Sequence, residues 1–102
     1  MAKIQSYEIV FNSAQPNIQQ AMTLVGNQFS SIRNIIEAGF TSGKISIISQ
    51  SLSSDGKTLS VSRTWADDVY DEVLKVHSVA NIKTIIESID GVVSVNYGFT
   101  NA

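Results

Sequence analysis

Lys44-Ile45-Ser46-Ile47-Ile48-Ser49-Gln50-Ser51-Leu52, then Ser53-Ser54-Asp55-Gly56, then Lys57-Thr58-Leu59-Ser60-Val61-Ser62-Arg63-Thr64-Trp65 is the stretch that decides the fold. Asp-Gly between two β-rich runs signals a hairpin, because both residues tolerate positive φ. In the second arm Leu59, Val61 and Trp65 share one face with Arg63, while Thr58, Ser60, Ser62 and Thr64 point the other way. In the first arm the apolar parity switches at Ile47-Ile48, which implies either a β-bulge or burial on both faces.

Upstream of the hairpin, residues 3–12 alternate as a strand with Tyr7, Ile9 and Phe11 inward and Ser6 and Glu8 outward. Asn12-Ser13-Ala14-Gln15-Pro16 breaks it, and the single proline suits the first turn of a helix. Ile18, Met22, Val25, Phe29, Ile32 and Ile36 then recur at steps of four and three. This predicts one long helix of about 23 residues. Gly26 costs about 1 kcal/mol relative to Ala inside it and is where it would bend or fray. Gly39 is read as the left-handed residue that closes it.

Downstream, Ala66-Asp67-Asp68 opens a helix with its acidic residues at the positive end of the macrodipole. Val69, Val73 and Val76 form one stripe, and Val79, Ile82, Ile86 and Ile89 another. Ser78 is placed to cap a fresh helix between them, so residues 66–89 read equally as one kinked helix or two. Asp90-Gly91 ends the run, and Val93, Val95, Tyr97 and Phe99 alternate in a last strand. The order β-α-β-β-α-β, in a single domain over residues 1–102, is that of a ferredoxin-like α+β sandwich. A four-stranded mixed sheet is expected, with the first and third strands parallel at its centre and helices on one face. The other face would carry Ser6, Glu8, Ser60, Ser62, Thr64, Ser94 and Asn96, together with Val10, Ile48 and Leu52.

Composition removes several function classes. The chain of 102 residues has no Cys, which excludes disulfides, thiolate metal sites and thiol catalysis. A formal net charge of −2 gives no electrostatic reason to expect nucleic acid. Tyr97 and Phe99 share the inward parity and lack a basic-aromatic string, so an RNA-recognition reading fails as well. No apolar run approaches a membrane span and the first residues carry no signal-peptide pattern. A cytoplasmic location is expected, or the virion or host cytoplasm for a viral chain. Gly39-Phe40-Thr41-Ser42-Gly43-Lys44-Ile45 invites a phosphate-loop comparison, but it is one residue short and Ile45 replaces the hydroxyl.

Few side chains remain that could carry chemistry. His77 is the only imidazole, with no orienting partner near it in sequence; one His and no Cys make no metal site. Arg63 occupies an inward position between Val61 and Trp65, where an unpaired guanidinium would be costly. Either the strand twists so that its stem lies along Trp65 and its head reaches water, or it contacts an anion at a pocket rim.

Ser62-Arg63-Thr64-Trp65 ending a strand, followed by Ala66-Asp67-Asp68 and a helix, resembles the corresponding turn of dimeric α+β barrel proteins of the antibiotic-biosynthesis-monooxygenase-like superfamily. The likeness spans residues 57–99. It implies a back-to-back homodimer whose sheets enclose a small cavity. The histidine that such proteins often carry early in the helix has no counterpart here, where His77 comes late.

The expectation is therefore a binding or assembly module that associates with itself and needs neither cofactor nor metal, with no residue identified as catalytic. The alternative is a cofactor-independent enzyme or small-molecule binder of the dimeric-barrel kind. Its ligand-binding candidates are Arg63, Trp65 and His77, and it requires a pocket touching at least two of them.

Overall fold

The computed structural model describes residues 2–102. Strand β1 (Lys3–Phe11) is followed by α1 (Ile18–Gly26), α2 (Arg33–Thr41), β2 (Ile45–Leu52), β3 (Thr58–Trp65), α3 (Asp67–Leu74), α4 (Val79–Glu87) and β4 (Val92–Asn101). The strands form one sheet in the order β2-β3-β1-β4. The expected mixed sheet is corrected, since every neighbouring pair is antiparallel, including β1 with β3. The reason is directional. The β2–β3 hairpin reverses the chain, and the helical crossover from β1 returns β2 in the direction of β1. Whatever lies beside β1 after that reversal must run against it.

The hairpin turn needs positive φ only once. Gly56 has φ of 74°, Asp55 does not enter that region, and the Gly56 N–H donates to the Ser53 carbonyl at 2.9 Å. Of the two readings of β2, the bulge is the one observed. Ile47 faces Arg63 and Ser49 faces Ser62, leaving Ile48 as the extra residue. Ile47 and Ile48 are both exposed, so neither face of the strand is covered there.

The long helix does not exist; α1 and α2 replace it. Helical bonding ends as the Asn27 N–H donates to the Thr23 carbonyl. Three-residue turns follow, from Gln28 to Val25, Phe29 to Gly26 and Ile32 to Phe29. Gly26 and the Ser30-Ser31 pair lower helix propensity where the stripe runs on, and serines favour turns over helix interiors. These turns still bury Phe29 and Ile32, which is why the apolar spacing read as one continuous helix. The start is also displaced: Pro16 lies before the helix and not in its first turn, and Asn17 forms the cap, its Oδ1 accepting from the Gln20 N–H at 2.8 Å. Gly39 lies within α2 and is buried, while Gly43, with φ of 77°, takes the left-handed position after the helix.

Residues 66–89 resolve into two helices, α3 and α4, with the Ser78 hydroxyl accepting from the Asn81 N–H as the cap. Val69 and Val73 are buried, but Val76 lies beyond the end of α3 and is exposed. In β4 the expected inward Val93 is 65% exposed. The β1–β4 register skips it, pairing Val10 with Ser94 and Phe11 with Val92, so Val92 takes the inward place.

One core joins the sheet to the helices. Ile9, Phe11, Leu59 and Trp65 from the sheet and Ile32, Val73, Ile82 and Ile86 from the helical layer are all buried in it. The even-numbered residues of β1 face away, with Ser6 and Glu8 exposed. No helix among the described residues is long and apolar enough to cross a membrane.

Candidate ligand-binding site

Inward parity on β1 does not start at Tyr7. Gln5 shares it and is 4% exposed, a buried amide among the apolar residues of the core. Antiparallel pairing sets Gln5 opposite Arg63 on β3 and Tyr7 opposite Tyr97 on β4. Four polar side chains thus meet on the covered face of the sheet. The Tyr7 and Tyr97 rings stack with centroids 6.0 Å apart.

Hydrogen bonds link the four in a defined sense. The guanidinium of Arg63 only donates, so the atom of Gln5 that faces its Nη1 at 3.5 Å is Oε1. That orientation turns Gln5 Nε2 toward Tyr97, which therefore accepts, at 2.8 Å. By the same logic the Tyr7 hydroxyl accepts from Arg63 Nη2 at 3.2 Å. Both phenolic protons are left without an acceptor among the described residues. Burial keeps both phenols neutral: it raises the pKa of Tyr7 against the opposing pull of Arg63, and it pushes Tyr97 up to about 12.

Above this patch a cavity of about 330 Å3 opens between sheet and helices. Gln5, Tyr7, Arg63, Trp65 and Tyr97 form its floor. Its walls are Met22 and Val25 of α1, Phe29 and Ile32 of the interhelical turns, Ile36 and Phe40 of α2, and Ile82 and Ile86 of α4. Arg33 and Glu37 of α2, both exposed, also border it. The volume sits at the small end of ligand pockets, and apolar walls around a few convergent polar groups are typical of them.

Arg63 is partly exposed, and its guanidinium lies beside Tyr7 and Phe40. Its Cζ lies 5.5 Å from the Tyr7 ring centroid and 5.6 Å from that of Phe40, between two aromatic rings. Nε of Arg63 and Nε1 of Trp65 are both buried without a hydrogen-bond partner. Of the three candidates read from sequence, Arg63 and Trp65 come together at the cavity and His77 does not border it. The His77 Nε2 instead hydrogen-bonds Ser31 Oγ at 2.8 Å, tying the α3–α4 joint to the segment between α1 and α2.

Gln5, Tyr7 and Tyr97 were missed as site residues, although extending the odd-numbered parity of β1 by one step would have flagged Gln5. Nothing local could have flagged the cavity, which depends on how α1 and α2 are set over the sheet. The cavity lies on the helical side, whereas a back-to-back dimer would enclose one on the opposite side. Among the described residues no group of three or more His, Asp or Glu is placed to hold a metal. No protein-family model, curated protein or solved structure matches this chain.

Proposed function

We propose that this chain is a ferredoxin-like domain that binds a small, largely apolar molecule in the cavity between its helices and its sheet. The single observation that carries the reading is the cavity of about 330 Å3 with Arg63 and Trp65 on its floor. A solid interior at that place would have favoured an assembly role alone. The fold part of the proposal is supported by the strand order, which read from the other edge is β4-β1-β3-β2, and by the two helical crossovers. A binding role is supported by the polar groups of the floor, which are two phenols, an amide and a guanidinium.

Trp65 is the only tryptophan and borders the cavity, so its emission reads the site directly. Titration with 1-octanol is expected to change that emission saturably. Amide shifts should concentrate on α1, α2 and the inward residues of β1 and β3. Ile36→Phe, which fills the wall, should abolish the response. Absence of any response to either 1-octanol or octanoate at millimolar concentration, or shifts confined to the outer face of the sheet, would refute the reading.

A second copy of the chain across the outer face remains the accompanying proposal. It is favoured by Ile48, the exposed extra residue at the bulge of the edge strand β2. Light scattering at micromolar concentration should then give twice 11.1 kDa, and the Ile48→Lys variant should return the mass to that of one chain.

A further inference from the structure

The donors of the site outnumber its acceptors. An arginine carries five N–H donors, and here only Nη1 and Nη2 each give one, to Gln5 and to Tyr7, the former at the 3.5 Å limit. The ring faces of Tyr7 and Phe40 beside the guanidinium carry no lone-pair acceptor, so apart from the Tyr7 hydroxyl its remaining N–H groups need acceptors in its own plane. No carboxylate lies within ion-pairing distance of Arg63 among the described residues, where the pair found is Lys44 with Asp68 on the surface. The hydroxyl protons of Tyr7 and Tyr97 are also unspent, since each oxygen accepts one hydrogen bond and its proton meets no acceptor among the described residues. On the acceptor side, Gln5 Oε1 is committed to Arg63.

The charge at the cavity runs the same way. Arg33 and Arg63 border it against the single acid Glu37, on a chain whose formal net charge is −2. Arg33 is turned toward Asn27, its Nη2 donating to Oδ1 at 3.4 Å, so Arg63 is the cation of the floor. A guanidinium there, with apolar walls above it, matches a planar anion attached to an apolar body.

We infer that the ligand is a compact monocarboxylic acid, its carboxylate held by Arg63 with the Tyr7 and Tyr97 hydroxyls as flanking donors and its hydrocarbon or aromatic body lying against Val25, Phe29, Ile36 and Ile86. The inference rests on the cavity proposed above as a binding site and adds the chemical class. The carboxylate supplies the in-plane acceptors that the guanidinium lacks, and the two phenols, neutral throughout the physiological range, donate without competing charge. A neutral alcohol of the same body offers one acceptor and no charge to the same set of donors.

The test compares octanoate with 1-octanol by Trp65 emission and calorimetry at pH 7 and low salt, in wild type, Arg63→Met, Tyr7→Phe and Tyr97→Phe. Octanoate is expected to bind at least tenfold more tightly than 1-octanol. Arg63→Met should remove that preference by weakening octanoate at least tenfold more than 1-octanol, and each Tyr→Phe change should cost octanoate a few-fold. Should Arg63→Met fold poorly, Arg63→Lys keeps the charge but not the fork and should lose most of the preference. Equal binding of the two probes to wild type, or an octanoate preference that survives loss of Arg63, overturns the carboxylate inference and leaves the cavity reading standing. Failure of both probes overturns both.

Discussion

Gly39 sits in the last turn of α2, where an alanine would ordinarily stabilise a helix by up to about 1 kcal/mol. At this position the opposite is expected. A Cβ built there would lie 2.6 Å from Cδ1 and 2.7 Å from Cγ1 of Ile45, distances that side chains do not tolerate. Ile45 cannot simply turn aside. It is 2% exposed at the start of β2, and Cγ1 moves only if the β-branched χ1 changes. Overpacking of this kind costs about 1–3 kcal/mol. Set against the helix gain, Gly39→Ala should lose up to about 2 kcal/mol, or up to roughly 16 °C in Tm for a domain of this size. Urea unfolding of a double-mutant cycle isolates the cause. Ile45→Ala alone should cost about 2–5 kcal/mol, and the double variant should fall short of the sum by the overpacking term. Gly26→Ala is the control: no atom lies within 4 Å of its Cβ, so only the propensity gain, at most about 1 kcal/mol, should appear. A Gly39→Ala protein as stable as wild type, with an additive cycle, would refute the claim that α2 is held against β2 by this close approach.

Further outcomes concern the turn and the buried phenols. Gly56→Ala must place a side chain at φ of 74° with its Cβ 2.9 Å from the Gln15 carbonyl, so a loss of about 2 kcal/mol or more in the urea midpoint is expected. At alkaline pH the buried Tyr97 becomes a liability. Its pKa lies at about 12 in the folded chain against 10.0 unfolded, so the stabilisation is full below pH 10 and is lost as pH rises toward 12. The loss approaches about 3 kcal/mol, and Tyr97→Phe should flatten the stability curve between pH 9 and 12, leaving the smaller slope of Tyr7.

Alternation and turn chemistry made the sheet readable from residues alone. Asp55-Gly56, the inward run Tyr7-x-Ile9-x-Phe11 and the parity switch at Ile47-Ile48 each correspond to an observed hairpin, strand face or bulge. Strand direction is not local to any one segment, and follows only from the β1–β2 crossover and the β2–β3 hairpin taken together. Helix length was misread for a different reason. Turns from Asn27 to Ile32 keep the same residues facing inward as a helix would, so apolar spacing cannot distinguish the two, and only the low propensity of Gly26 and the serines marks the break. Arg63 and Trp65 were legible as oddities of one strand face. Their neighbours Gln5 and Tyr97 come from the two ends of the chain and meet only through the β1 pairings, which no local pattern specifies.

The interruption between α1 and α2 has a consequence for how the cavity behaves. Each of these helices has nine residues, below the length at which a helix holds its shape unaided in water. Their order is lent by what they touch, and part of what they touch is empty space. An occupant would supply the missing neighbours along the whole roof at once, so slowed amide exchange should spread through residues 18–41 as a unit, well past the atoms in contact. In this molecule, filling a hole and finishing the fold would be one event.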